Sequence, residues 1–157
     1  GDRPVGLAIG SFFSVSLDPL LLCFAAGRNS YTWSAIKRTG SFCVNVLGTH
    51  QLELSARMSG PGDRFEGISH GDAPVSGAPL LDGVPAWVDC TIDAIHPAGD
   101  HDLVVGRVEA FDVAGDNLEP LIFHRRLFGG FVQVQGGSNG EVGGAVSGAA
   151  TDERAAS

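Results

Sequence analysis

Ala86-Trp87-Val88-Asp89-Cys90-Thr91-Ile92-Asp93-Ala94-Ile95 runs into Pro97-Ala98-Gly99-Asp100 and then into the stretch from Leu103 to Val113, and these residues decide the fold class. Apolar and polar side chains alternate along both arms, the two-residue period of a strand with one buried face. Val88, Cys90, Ile92 and Ala94 are expected inward. The Pro-Ala-Gly-Asp segment has turn composition, because Gly reaches positive φ without steric cost and Asp bonds its own backbone. The whole reads as one long antiparallel hairpin.

Towards the N-terminus, Ser41 to Leu47 alternates again, with Phe42, Val44 and Val46 on one side and Cys43, Asn45 and Leu47 on the other. Ahead of it, Asn29 or Ser30 can cap a short helix over Tyr31 to Arg38, in which Trp33, Ile36 and Ala35 share a face. Lys37 and Arg38 suit the negative end of its dipole, and Gly40 stands where a helix stops. Val5 to Ile9, Ser11 to Leu17 and Leu20 to Ala26 read as strands, with Asp18-Pro19 as a turn. Thr49 is expected to cap a second helix through Met58, packed through Leu52, Ser55 and Ala56.

The stretch from Ser59 to Asp82 is rich in Gly, Pro, Asp and Ser without a period, and reads as a long surface connection. Leu121 to His124 and Phe128 to Val134 are two further strands by composition. Beyond them, Gly136 to Ser157 has no apolar period. The expected organisation is one folded domain over 1–134 and a Gly/Ala-rich disordered tail over 135–157. Six or more short strands with two short helices make the fold mainly β, an antiparallel barrel or sandwich.

The length of 157 residues suits one core. Glycine, at 23 residues, is about twice its usual ~7% share and lacks the triplet period of collagen, which favours turns and close backbone approach to a ligand. Eighteen acids against ten bases give a net charge of −8, with no Lys/Arg block to track a phosphate backbone, so nucleic acid is not an expected partner. The longest apolar run, Leu20 to Ala26, falls well below the ~20 residues of a membrane span, and the N-terminus lacks the order of a signal peptide. A cytoplasmic protein without membrane contact is expected. Cys23, Cys43 and Cys90 lie in apolar stretches without CxxC spacing and read as reduced core thiols.

Two segments could carry chemistry. In Gly10-Ser11-Phe12-Phe13-Ser14-Val15-Ser16, small residues and hydroxyls flank an aromatic pair, so a flat ligand could approach the backbone and bond to amides and hydroxyls. A barrel strand with serines to solvent and phenylalanines to the core explains the same pattern. Gly27-Arg28-Asn29-Ser30-Tyr31-Thr32 opens a helix and gathers free N–H groups, a positive dipole end and hydroxyls, a means of holding a phosphate that ordinary capping would also produce. Arg57 is the nearby cation in sequence that could complete such a site. His50 and His70 read as exposed and His96 as structural, leaving His101 and His124. No histidine pair has metal-ligand spacing, so no metal is expected, and without GxSxG no hydrolytic nucleophile stands out.

The run Val5-Gly6-Leu7-Ala8-Ile9-Gly10-Ser11-Phe12-Phe13-Ser14-Val15-Ser16-Leu17-Asp18-Pro19, then Arg28-Asn29-Ser30-Tyr31-Thr32-Trp33-Ser34-Ala35-Ile36 and Gly40-Ser41-Phe42-Cys43-Val44-Asn45-Val46-Leu47, resembles the short-chain flavin reductases of two-component monooxygenases. Leu54-Ser55-Ala56-Arg57, Asp63-Arg64-Phe65, Pro79-Leu80-Leu81-Asp82-Gly83, Ala98-Gly99-Asp100-His101 with Val105-Gly106, and Pro120-Leu121-Ile122-Phe123-His124-Arg125 follow in the same order. The resemblance covers residues 4 to 132 and rests on the order of many weak motifs.

That resemblance implies an FMN-binding split barrel, a Greek-key antiparallel barrel pairing as a homodimer. It implies that NADH or NADPH reduces FMN, or FAD, by hydride transfer, and that the reduced flavin serves a separate monooxygenase component. The cofactors supply this chemistry, so no catalytic acid or nucleophile is obligatory. Carried over by position, Ala8, Ile9, Gly10 and Ser11 would lie along the flavin ring, and Ala25, Ala26 and Gly27 would border it. Ser30, Tyr31, Thr32 and Arg57 would hold the phosphate end, and His101, Phe123, His124, Arg125 and Arg126 would meet the nicotinamide nucleotide. Ala8 and Gly10 stand where the family often has a hydroxyl or amide residue, which leaves ring contacts to the main chain. Leu20 and Ser34 replace prolines of the pattern. The family also carries a helix and a strand ahead of Pro4, so either they precede Gly1 or the barrel is completed differently. The alternative is a split-barrel protein that retains its flavin, as an oxidase or a redox-sensing module.

Overall fold

A computed structural model describes residues 3–115 and 118–132. In chain order they form β1 (Phe12–Leu17), β2 (Leu20–Gly27), α1 (Tyr31–Thr39), β3 (Ser41–Val46), a 3-10 turn (Thr49–Gln51), α2 (Leu52–Ser59), β4 (His70–Asp72), β5 (Pro79–Leu81), β6 (Ala86–Ala98), β7 (His101–Val113), β8 (Ile122–His124) and β9 (Leu127–Gly129). The long hairpin is β6 and β7, joined through Gly99 at φ 64°. A five-stranded antiparallel sheet is built on it in the order β1-β2-β7-β6-β3. The path is Greek-key: β2 leads through α1 to β3 at the far edge, and β7 returns beside β2. Among the described residues β1 and β3 share no ladder, so the sheet is open between them.

Alternation delivers one apolar face. Leu22, Phe24 and Ala26 from β2, Phe42 from β3, Cys90 from β6 and Val104 from β7 are buried together with Trp33 of α1. Phe24 meets Trp33 and Phe42 edge to face, at centroid distances of 6.1 and 5.1 Å, the arrangement that ring quadrupoles favour. On β6 the expected inward set is corrected at one position. The register slips between Ile92 and Ala94, and Ile95 packs on the core in place of Ala94, since a bulge reverses the facing of everything beyond it.

Helix α1 begins where expected and runs one residue past Arg38: the Ser30 hydroxyl accepts from the Trp33 N–H, and Gly40 closes the helix at φ 75°. Three expectations are corrected. Val5 to Ile9 is not a strand, because no described strand lies beside it; the Gly6 carbonyl instead accepts from Arg64 at 2.5 Å. Thr49 caps no helix. Its N–H donates to the Glu119 carbonyl, while Gln51 Oε1 accepts from the Gly48 N–H across the 3-10 turn, and Leu54, Ser55 and Met58 rather than Leu52 and Ala56 are the covered side of α2.

The third correction concerns the stretch from Ser59 to Asp82, which contains the hairpin of β4 and β5 with Ala73 and Leu81 buried. Two polar side chains of the main sheet hold it. Asn45 donates to the Pro79 carbonyl and accepts from the Leu81 N–H at 3.0 and 2.8 Å, and Asp89 accepts from the Val75 and Ser76 N–H groups at 2.8 and 3.0 Å. The last strand pair is shorter than expected, and 133–134 and the tail over 135–157 lie outside the described residues.

Gly106 on β7 lies under Phe42, and a Cβ there would sit 2.5 Å from Phe42 Cζ. Gly106→Ala should therefore cost about 1–3 kcal/mol by overpacking, and Phe42→Leu should restore part of the loss in the double variant. Additive effects in thermal melts would contradict this contact.

Candidate functional site

The open end of the sheet is built by register. Antiparallel pairing of β2 with β7 sets Ala25 opposite Leu103, Ala26 opposite Asp102 and Gly27 opposite His101. With no side chain on Gly27, the His101 ring approaches its backbone; a Cβ there would lie 4.0 Å from Nε2. His101 Nδ1 is 2.7 Å from Asp100 Oδ1, so the other ring nitrogen is the one turned towards β2. The hydrogen bond from His101, and then its charge, hold the Asp100 carboxyl below the usual carboxylate range.

Beside this edge runs the segment from Gly6 to Ser11. Ser11 Oγ accepts from the Ala25 N–H at 3.0 Å, tying one end to β2. At the other end, one nitrogen of Arg64 donates both to the Gly6 carbonyl and to Thr32 Oγ1, the latter at 3.1 Å. The segment thus spans from Ala25 to the first turn of α1. Ile9 packs on the core while Ala8 and Gly10 are exposed, and nothing lies within 4 Å of where a Gly10 Cβ would be.

At the start of α1 the Ser30 hydroxyl is engaged as cap, Tyr31 is exposed, and Thr32 keeps its hydroxyl proton free to donate. Arg64, not singled out from sequence, is the cation the structure brings to Thr32. Arg57 donates to the Glu66 carbonyl at 2.6 Å. Phe123, His124, Arg125 and Arg126 stand on the separate hairpin of β8 and β9, whose turn is formed by the two arginines at φ 51° and 66°. That hairpin is fastened near β3, through the Leu121 N–H to the Leu47 carbonyl and a bridge of Gly48 to Pro120. The residues expected to meet a nicotinamide nucleotide are therefore divided between the start of β7 and this hairpin.

A second feature unmarked by the sequence reading is Asp102, whose side chain is 6% exposed. It accepts from the Trp33 indole N–H at 2.9 Å and has Lys37 Nζ at 3.5 Å and Arg28 Nε at 3.4 Å. The indole bond first, then the Lys37 and Arg28 charges, hold its carboxyl below the usual range against burial, which pushes it up.

Residues 1–131 match the flavin reductase like domain family. The chain belongs to this family. It is 40% identical over 130 residues to a flavin reductase of Pseudomonas putida, covering 82% of this chain and 75% of that one. Among solved structures, nitrilotriacetate monooxygenase component B of Mycobacterium thermoresistibile superposes with a TM-score of 0.77 at 36% identity, covering 86% of this chain and 79% of the other. The NADH:FAD oxidoreductase SgcE6 of Streptomyces globisporus, bound to NAD and FAD fragments, gives 0.79 at 28% identity, covering 84% and 80%. The chain is an NAD(P)H-dependent flavin reductase of mainly antiparallel β, split-barrel-like fold, with flavin and a nicotinamide nucleotide as cofactor and co-substrate. No helix among the described residues is long and apolar enough to cross a membrane.

The residues present fit a flavin. A flat ring needs main chain that no side chain covers, and the exposed run through Gly10 supplies it; a phosphate needs donors and a cation, and the first turn of α1 with Arg64 supplies those. The reductase has no thiolate to offer. Burial pushes the Cys43 and Cys90 thiols up to about 12, and the Cys23 thiol is also raised by burial.

Native protein at pH 8 is accordingly expected to resist iodoacetamide at all three cysteines, which should alkylate once it is unfolded; rapid native labelling, read by mass spectrometry, would refute this. Asp102 should also shape acid stability. Its lowered native value means a contribution fully present above the ordinary carboxylate value of about 4 and lost as pH falls through the lowered one. Below pH 4 the Tm of the wild type should drop more steeply than that of Asp102→Asn. Parallel curves would count against the assigned partners.

Proposed function

We propose that the flavin ring lies along Ala8, Ile9, Gly10 and Ser11, bordered by Ala25, Ala26 and Gly27, with its phosphate end at Ser30, Tyr31 and Thr32. Arg64 supplies the cation beside Thr32, and Arg57 of α2, which donates to the Glu66 carbonyl, is assigned to the same end as a second. The observation that carries this reading is the segment from Gly6 to Ser11, off the sheet, uncovered at Gly10, and tied to Ala25 at one end and to Thr32 through Arg64 at the other.

When bound, flavin accepts a hydride from reduced nicotinamide, and the chain binds and orients. Amides of the Gly6–Ser11 run hold the ring edge. The first turn of α1 directs N–H groups and the Thr32 hydroxyl at the phosphate. Asp100 fixes the His101 ring so that it faces Gly27 and the pyridine nucleotide. Phe123, His124, Arg125 and Arg126 meet the rest of that nucleotide. A site made mainly of amides and hydroxyls, rather than of many buried ion pairs, binds with moderate strength, which suits release of reduced flavin to a separate monooxygenase component, the role that the name of the solved relative from Mycobacterium thermoresistibile supports.

The active form is a homodimer. Phe123, Leu127 and Phe131 are each more than half exposed on and beside the β8–β9 hairpin, an apolar surface that a second copy would cover.

Gel filtration of the protein after incubation with FMN tests the delivery role. Flavin is expected to separate, leaving colourless protein whose NADH oxidation returns on adding FMN; flavin retained through the column would support the oxidase or sensor reading instead. Ser30→Ala removes a cap worth about 1 kcal/mol, and should raise the KM for FMN several-fold while leaving that for NADH unchanged. An unchanged KM for FMN would overturn the phosphate assignment.

A further inference from the structure

Two acidic side chains are buried among the described residues, Asp89 and Asp102. Asp89 fastens the β4–β5 hairpin, whereas every partner of Asp102 belongs to α1 or to the residue just after β2. Its Oδ2 takes the Trp33 indole and lies near Lys37, and its Oδ1 faces Arg28. Trp33 is itself 1% exposed and gives its own amide to the Ser30 cap. Arg28 is tied in turn to the β6–β7 turn, by its N–H to the Asp100 carbonyl at 3.0 Å and by Nη1 to the Gly99 carbonyl at 3.5 Å. In sequence Asp102 follows His101, and in register it faces Ala26. One carboxylate therefore joins the first turn of the helix, the end of β2 and the start of β7.

We infer that Asp102 is a positioning residue for flavin binding, fixing the phosphate-holding turn of α1 at a set distance from the Gly27 and His101 end of the sheet. This rests on the assignment of that turn to the flavin phosphate. The sequence carries the signal: Asp102, Val104, Gly106 and Val108 occupy one face of β7, and a carboxylate in the first place of a core-facing series requires partners when buried.

Positioning and simple charge effects have opposite signs here. Asp102→Asn removes a negative charge beside Arg28 and Lys37, so by charge alone an anionic flavin would bind more tightly, most of all at low ionic strength. A helix turn that has lost its tether binds the phosphate less well, at any salt.

The experiment is a flavin-fluorescence titration of wild type, Asp102→Asn, Trp33→Phe and Thr32→Ala with FMN and with riboflavin, which lacks the phosphate, at low and high salt. Melting curves identify the variants that fold. Asp102→Asn is expected to weaken FMN about tenfold, 1.4 kcal/mol, with little change for riboflavin. Trp33→Phe, which keeps an aromatic ring in the core but loses the indole N–H, should show a smaller loss of the same kind, and carries the test if Asp102→Asn does not fold. In steady state the KM for FMN should rise with kcat within about twofold, since uniform binding is what is lost. Tighter FMN binding, an equal loss for both flavins, or no change would overturn the inference. Thr32→Ala separates the two layers: if it discriminates FMN from riboflavin while neither tether variant does, Asp102 has no positioning role, whereas if it fails to discriminate, the phosphate assignment itself falls.

Discussion

The indole of Trp33 is where helix and sheet become one body. Its ring is edge-on to Phe24 at the centre of the apolar face, and its N–H is spent on a carboxylate of β7. A buried indole N–H without an acceptor would forfeit a hydrogen bond, and a buried carboxylate without donors would be worse, so the pair is tolerated only as a pair. Because Trp33 is the third residue of α1, the contact acts within the first turn, where the Trp33 amide goes to the Ser30 cap and the N–H groups of Tyr31 and Thr32 have no partner within the helix. The direction in which those groups point therefore follows from core packing at Trp33 together with Arg28 of the preceding loop, which meets the same carboxylate.

What could be read from the chain follows how local its cause is. The β6–β7 hairpin, the limits of α1 and the β3 strand are written in alternation, a capping serine and a stopping glycine, each acting over a few residues. The β4–β5 hairpin was hidden because its three-residue strands are held by Asn45 and Asp89, far off in sequence. Val5 to Ile9 misled for the converse reason: an apolar run makes a strand only where a neighbour offers a ladder, and here the neighbouring group is the Arg64 guanidinium. The bulge that swaps Ala94 for Ile95 leaves no trace in composition.

The candidate site divides in the same way. Ser30 and the Gly10 run were legible because a cap and an uncovered main chain follow from residue type. Arg64 was not, since its meeting with Thr32 depends on the loop after α2 folding back over the N-terminal segment. Asp102 stood in view as a charged residue in a core-facing series, a pattern that asks for partners without saying which.

Among the described residues strand β1 is an outer strand of the sheet, and Phe12, Phe13, Val15 and Leu17 along it are exposed. Such a border is an invitation to add another chain, the first step towards insoluble stacking. Between Ser14 and Ser16 its register shifts against β2. That irregularity interrupts the row of outward N–H and C=O groups and increases the local coil, so a flat intruding segment finds no uninterrupted template on this side of the molecule.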